Sequence, residues 1–110
     1  MKNHNPFAAG VPDCWYSGSK GDIWVEFKFV VLPKRPETSV AVGLSELQKK
    51  WLRDRYAEGR CVAVIVGCKE GGVWLPGLTW DTSLTCHQFR LKLEDRKKIG
   101  EHIALNCATF

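Results

Sequence analysis

Alternation of apolar and polar side chains is strongest over residues 22–29, which read Asp-Ile-Trp-Val-Glu-Phe-Lys-Phe. A period of two is typical of a β-strand that buries one face. We predict that this strand continues to about Leu32. Glu26 and Lys28 lie two residues apart, so both project from the face opposite the apolar set. The apolar set, which we expect to face the core, is Ile23, Val25, Phe27 and Phe29.

A second strand is predicted over 11–16, and the turn signal Ser-Gly-Ser-Lys-Gly separates it from the first. The midpoint of this hairpin falls between Ser19 and Lys20, so Asp13 and Glu26 are equally distant from it. In regular antiparallel pairing the two acids lie opposite each other, with Cβ atoms about 4.5–5.5 Å apart. Carboxylates that close repel unless a cation lies between them, and hard cations such as Mg²⁺ favour oxygen ligands. The same spacing also fits two unrelated acids on a solvated sheet face.

An amphipathic helix is predicted over 44–58, where apolar residues recur at three- and four-residue steps. Ser45 and Gln48 have capping-box spacing at its start, and Gly59 is the expected stop. The almost continuously apolar segment 60–68 is typical of a strand buried on both faces. Because a helix separates this strand from the first long one, we predict that the two strands pair in parallel.

The C-terminal part of the chain has a weaker pattern. We predict a short strand over 73–75, a loop over 79–84 and a final helix over 93–105. Residues 85–93 are ambiguous and are interpreted as a strand. Together these elements indicate one α/β domain spanning residues 1–110, with a small mixed β-sheet and a crossover helix.

Composition narrows the class of protein. The chain has 110 residues, of which 45% are hydrophobic and 25% charged, as in ordinary globular domains. No apolar run approaches the roughly 20 residues of a membrane span, and the first residues do not resemble a secretory signal. The five cysteines are odd in number and form no Cys-x-x-Cys pair, which argues against a zinc site or a disulfide framework. We therefore expect reduced thiols and a cytoplasmic location.

The net charge of +4 permits binding to a phosphate backbone without requiring it. Clustered basic residues are equally typical of a solvated face. Trp15, Trp24 and Trp80 are candidate exposed aromatics, and Trp24 shares a strand face with Glu26, where it could stack on a base. The candidate phosphate contacts are Lys34, Arg35, Lys49, Lys50 and Arg53.

The acidic and basic residues of the predicted hairpin suit phosphodiester hydrolysis. That reaction needs carboxylates to hold a metal ion, which lowers the pKa of a water, and a cation that positions the water or stabilises developing charge. Asp13, Glu26 and Lys28 supply this set. The backbone carbonyl of Phe27, between Glu26 and Lys28, could serve as a further metal ligand.

Three segments resemble the PD-(D/E)xK nuclease superfamily, and most closely its VRR-NUC and phage Holliday-junction-resolvase-like group. They are Gly-Val-Pro-Asp at 10–13, Trp-Val-Glu-Phe-Lys at 24–28 and Leu-Ser-Glu-Leu-Gln at 44–48. The resemblance implies a restriction-endonuclease-like core and Mg²⁺-dependent cleavage of DNA, with Mn²⁺ able to substitute. Its resolvase-like members imply a homodimer that acts on branched DNA, located in the host cytoplasm if the protein is phage-encoded. The residue roles it implies are metal ligation by Asp13 and Glu26, catalysis by Lys28 and active-site support by Gln48.

One segment departs from the family pattern. The superfamily usually begins with a helix that carries a further acid, whereas residues 1–9 contain no Asp or Glu. We therefore expect a minimal version that lacks most of the N-terminal helix. Two alternatives stay open: a partner subunit supplies that element, or catalysis is impaired. Two other functions stay open on this scaffold: a non-catalytic nucleic-acid-binding module, and a phage factor that binds another protein.

Overall fold

The computed structural model describes residues 14–18 and 21–107, with side chains for most of them. The described part is a mixed α/β fold, as predicted, with four strands, three α-helices and one 3-10 turn. In chain order these are β1 (Cys14–Gly18), β2 (Gly21–Phe29), α1 (Glu46–Ala57), β3 (Cys61–Cys68), β4 (Gly71–Pro76), the 3-10 turn Thr79–Asp81, α2 (Cys86–Leu91) and α3 (Arg96–Cys107).

The four strands form one sheet in the order β1-β2-β3-β4. The β1–β2 and β3–β4 pairs are antiparallel, whereas β2 and β3 are parallel. Parallel pairing follows from the chain connection, because α1 carries the chain back from the end of β2 to the start of β3. The predicted strand–helix–strand unit is therefore confirmed.

The register of the β1–β2 hairpin also agrees with the sequence. Cys14 lies opposite Val25 and Gly18 opposite Gly21, so the midpoint falls between residues 19 and 20, as predicted. Asp13, the predicted partner of Glu26, lies outside the described residues. The Asp13–Glu26 pair therefore stays a prediction.

The sheet carries a core on each face, which explains the apolar run in β3. On one face Leu52 of α1 and Phe89 of α2 pack against Val64. On the other face Ile99 of α3 packs with Ile23 and with the remaining buried residues of that cluster. The central residues of β3, 62–66, are buried throughout. This confirms that the strand is covered on both sides.

Strand β2 is shorter and less covered than predicted. It ends at Phe29 because its partner β3 ends at Cys68, and only the bond from Val30 N to Gly67 O (2.9 Å) extends the pairing. The prediction that Phe27 and Phe29 face the core is wrong. Both are exposed, with Phe29 at 72%, because the buried cluster beneath α3 reaches only the first half of that face of β2.

Helix α1 begins as the sequence indicates. Ser45 and Gln48 form a reciprocal capping box: Gln48 N donates to Ser45 Oγ (3.1 Å), and Ser45 N donates to Gln48 Oε1 (2.9 Å). Beyond the helix, Gly59 has a φ of +85°, the left-handed conformation expected of the residue that stops a helix.

The strand interpretation of 85–93 is wrong, because residues 86–91 form α2. Thr85 caps this helix with Gln88 in the same reciprocal arrangement, at 3.1 and 2.9 Å. The predicted final helix is present as α3, beginning at Arg96 rather than near 93. Asp95 Oδ1 accepts from Lys98 N at 2.8 Å, which satisfies a donor in its first turn.

Glu94 attaches the start of α3 to the edge of the sheet. Gly72 N donates to Glu94 O (3.0 Å), and Glu94 N donates to Gly72 O (2.8 Å). Gly71 lies beside this bridge with a φ of +147°, and a Cβ placed there would lie 2.7 Å from Glu94 O. Only glycine fits such a position without a shift of the backbone.

Two further observations bear on the class of protein. No helix among the described residues is both long and apolar enough to cross a membrane. Cys14, Cys61, Cys68 and Cys86, the cysteines whose side chains are described, are free thiols.

Candidate functional site

Glu26 and Lys28 lie on the face of β2 that α1 covers. Glu26 is 2% exposed, Lys28 is 24% exposed, and Lys28 Nζ lies 3.7 Å from Glu26 Oε2. β2 is an inner strand, and Glu26 pairs with Val64 in the register with β3. Burying a carboxylate is costly unless a cation or hydrogen bonds compensate. The 3.7 Å distance between Lys28 Nζ and Glu26 Oε2 confirms the sequence prediction that the two side chains share a face. Their burial is unequal, because the carboxylate is almost fully buried and the amine is partly exposed.

Gln48 lies at the end of α1 nearest this pair. The rings of Trp24 and Trp51 meet edge to face with centroids 5.2 Å apart, which fixes α1 relative to β2. Helix α1 runs in the opposite direction to β2. The step from Trp51 back to Gln48, about 4.5 Å along the helix axis, therefore points the same way as the step from Trp24 forward to Glu26, about 7 Å along the strand. The topology thus places Gln48 on the Glu26 side of Trp24.

The capping box limits what Gln48 can do at the site. Its Oε1 atom accepts the Ser45 N–H, so its amide nitrogen, a donor, is the end available for a second contact. The sequence assigns Gln48 to the active site through the family resemblance. In the structure its acceptor end has a structural role at the helix start.

The other two predicted metal ligands are Asp13 and Phe27. Asp13 lies outside the described residues. The side chain of Phe27 lies on the α3 face and has no ligand atom, and its backbone carbonyl is the group that could join Glu26 in holding an ion. Among the described residues no group of three or more His, Cys, Asp or Glu side chains could hold a metal ion. A metal site therefore requires oxygen donors in addition to those of Glu26.

The predicted phosphate contacts Lys34 and Arg35 lie in an exposed loop that follows β2. Backbone bonds tie this loop to α2: Cys86 N donates to Thr38 O (2.8 Å) and His87 N donates to Pro36 O (2.9 Å). The loop is therefore held at a defined place, with both basic side chains exposed.

The three basic candidates on α1 are engaged in ion pairs. Lys49 lies 3.4 Å from Glu46, and Lys50 donates to Asp54 at 2.7 Å, a bond that lowers the pKa of the Asp54 carboxyl. Such exposed pairs are weak and can exchange for a phosphate.

Arg53 is held more firmly than the two lysines. One nitrogen contacts both oxygens of Asp81 at 3.1 Å, and the guanidinium lies 5.4 Å from the ring centre of Trp80. Arg53 thus links α1 to the 3-10 turn, which indicates a structural role.

The predictions for the tryptophans are partly right and partly wrong. Trp80 is only 5% exposed, so the prediction that it is an exposed aromatic is wrong; it belongs to the core beside α1 and α2. Trp51 and Trp74 pack against the core, as expected. Trp74 also stacks on His102, with ring centres 5.3 Å apart.

A row of three indoles next to Glu26 was not predicted as a unit. The tryptophan row consists of Trp15, Trp24 and Trp51, and all three are partly exposed. Trp15 lies opposite Trp24 in the hairpin register, with ring centres 5.9 Å apart. The turn arithmetic that pairs Asp13 with Glu26 pairs these two tryptophans as well, so the signal was present in the sequence.

Comparisons with protein-family models, with curated proteins and with solved structures find no match to this chain. Function is therefore inferred from the side chains and their geometry.

Proposed function

We propose that the protein is a metal-dependent endonuclease that hydrolyses DNA phosphodiester bonds. The observation that carries the proposal is the buried Glu26 carboxylate with Lys28 Nζ at 3.7 Å on the same face of an inner strand. A buried acid beside a partly exposed amine is expensive for a fold to maintain, and such groups concentrate at functional sites.

The donor chemistry fits a hard cation. Glu26 offers carboxylate oxygens, Phe27 offers a carbonyl, and Asp13 is the further carboxylate that the turn arithmetic assigns to the same face. Mg²⁺ prefers such oxygen ligands, and Mn²⁺ is expected to substitute. When bound, the ion would lower the pKa of a water and offset charge on the phosphate.

Lys28 supplies what the carboxylates cannot. Its ammonium is a pure donor, and its partial exposure lets it reach a phosphate oxygen or hold the attacking water. A fixed positive charge there stabilises the negative charge that develops on the phosphate oxygens. In this proposal Glu26 holds Lys28 in position, and Gln48, at the start of α1, offers its amide donor to the site.

DNA would reach the site along basic surface. The exposed Lys34 and Arg35 lie in the loop that continues from the Lys28 end of β2, so a phosphate on that side of the cleaved bond could contact them. Such contacts position the backbone without reading sequence. Action on branched DNA and a homodimer belong to this proposal through the family resemblance, and the cytoplasmic location expected from composition belongs to it as well.

The test is cleavage of linear, single-stranded, flapped and four-way DNA with and without Mg²⁺. We expect Mg²⁺-dependent nicking that Lys28→Ala abolishes while the variant stays folded. Lys97→Ala is the matched control, because Lys97 is exposed on α3, across the sheet from Lys28, and its removal should leave cleavage unchanged. If the protein binds DNA but neither cleaves it nor binds Mg²⁺, the result would instead support the non-catalytic module. Negligible DNA binding at low salt would support the protein-binding factor.

A further inference from the structure

The tryptophan row lies directly beside the proposed cleavage site. Trp24 precedes Glu26 by two residues on the same face of β2, a distance of about 7 Å along the strand. Trp15 and Trp51 both contact it, with ring centres 5.9 and 5.2 Å from that of Trp24. An extended aromatic surface therefore begins where the Glu26–Lys28 pair ends.

This surface is not fully used by the core. All three rings keep partial exposure, and within the described residues Trp15 lies on an edge strand of the sheet. The Arg55 guanidinium lies 5.3 Å from the ring centre of Trp51 and forms a 2.6 Å ion pair with Glu58, so a cation that is already paired lies at the α1 end of the row. Aromatic rings with neighbouring cations are the combination by which proteins bind single-stranded nucleic acid.

A cavity of about 490 Å³ opens beside Trp24 at the end of β2 remote from Lys28. Its walls are Gly21, Asp22, Trp24, Gly59, Arg60 and Cys61. This volume lies within the range of small-ligand pockets, and one indole, one cation and one carboxylate line it. Arg60 Nε lies 3.4 Å from Glu58 Oε1 in an exposed, weak pair, so its guanidinium can exchange that partner for a phosphate.

We propose that the row and this cavity bind unpaired nucleotides next to the cleaved bond, with a base stacked on Trp24 and a phosphate on Arg60. The inference rests on the proposed function in taking DNA as the ligand, and it names the substrate class. Bases within a duplex are stacked on each other, so their faces are hidden from an indole, whereas every base of a single strand offers a face. The substrate is therefore DNA with a single-stranded segment at the site.

The test measures binding without catalysis. Anisotropy of a labelled oligothymidine and of a labelled duplex of equal length is followed in EDTA, so that no cleavage occurs. We expect the single strand to bind at least about fivefold more tightly, and Trp24→Leu and Trp15→Leu each to remove about fivefold or more of that affinity. Arg60→Ala should reduce the dependence of affinity on salt by about one phosphate contact.

Controls keep the outcome interpretable. Trp74→Leu removes an indole from the α3 face and should leave DNA affinity unchanged. If Trp24→Leu fails to fold, Trp15→Leu alone tests the inference, because Trp15 lies on the edge strand β1, where a substitution disturbs the fold less than on the inner strand β2.

Two results would overturn the inference: equal affinity for single strand and duplex, or parental affinity in folded Trp15→Leu. Mg²⁺-dependent cleavage together with equal affinities for single strand and duplex would overturn single-strand binding by the tryptophan row and would leave the proposed nuclease activity standing. Tryptophan-dependent single-strand binding without cleavage would support single-strand binding by the row and would overturn the proposed nuclease activity.

Discussion

Lys28 Nζ lies 3.7 Å from Glu26 Oε2, and the carboxylate of that pair is 2% exposed whereas the lysine is 24% exposed. The arrangement joins a buried charge to a reachable one on a single strand face. The pair therefore affects both the stability of the fold and the chemistry at its surface, and the two effects can be measured separately.

Removing Lys28 should destabilise the metal-free protein. We expect Lys28→Met to lower the free energy of unfolding by about 1–3 kcal/mol, because the buried Glu26 carboxylate loses the cation 3.7 Å away. In a Glu26→Gln background the same change should cost less, giving a coupling energy of about 0.5–3 kcal/mol. Urea unfolding of the four proteins measures this cycle. An identical cost of Lys28→Met in both backgrounds would show that the two side chains do not interact.

Metal binding should stabilise the parent protein through Glu26. Mn²⁺ at about 100 times its dissociation constant should add about 2.7 kcal/mol to the free energy of unfolding. Glu26→Gln should lose most of this gain while keeping its metal-free stability, since it removes a buried charge. Glu101→Gln, on exposed α3 surface, should respond to Mn²⁺ like the parent. An undiminished response in Glu26→Gln would contradict the ligand assignment; thermal melts with and without Mn²⁺ give the comparison.

The two roles of Gln48 can be separated by Gln48→Glu. Glutamate at this position keeps the capping box with Ser45, so the thermal midpoint should stay close to that of the parent. The amide donor is replaced by a carboxylate, so cleavage should fall.

Ser45→Ala makes the opposite change at the same helix start. It should lower stability by about 0.5–2 kcal/mol and leave cleavage intact at a temperature where it is folded. Parental cleavage by Gln48→Glu would restrict Gln48 to its capping role.

Gly71 should be far less tolerant of substitution than Gly59. Both have positive φ, but a Cβ at position 71 would lie 2.7 Å from Glu94 O, whereas position 59 has nothing within 4 Å. Gly59→Ala should cost about 1–2 kcal/mol from backbone conformation alone. Gly71→Ala should cost more, because it also separates β4 from the bridge at Glu94. Similar unfolding midpoints for the two variants in urea would argue against a close approach at Gly71.

The elements that the sequence predicts well are those with local signals. Ser45, Gln48 and Gly59 mark the ends of α1, and the apolar run of β3 marks a strand covered on both faces. Thr85 and Gln88 carry the same capping signal as Ser45 and Gln48. Helix α2 has only six residues, however, too few for a helical period to be distinguished from the strand predicted over 85–93.

Burial was predicted less well, because it depends on which element covers which part of the sheet. Phe29 fits the apolar phase of β2, but the packing beneath α3 stops before it. Trp80 looks like an exposed loop aromatic and is buried between distant elements. For the candidate site, the shared face of Glu26 and Lys28 follows from a period of two, whereas the near-complete burial of Glu26 does not.

The hairpin register makes the length of one turn a constraint on the whole site. The same pairing that sets Trp15 against Trp24 would set Asp13 against Glu26. If the two-residue loop is retained, one residue inserted between Gly18 and Gly21 shifts the pairing by one position and turns every β1 side chain to the opposite face. Changes of sequence in that turn are compatible with the site, but a single-residue insertion or deletion would separate the acids and the indoles together.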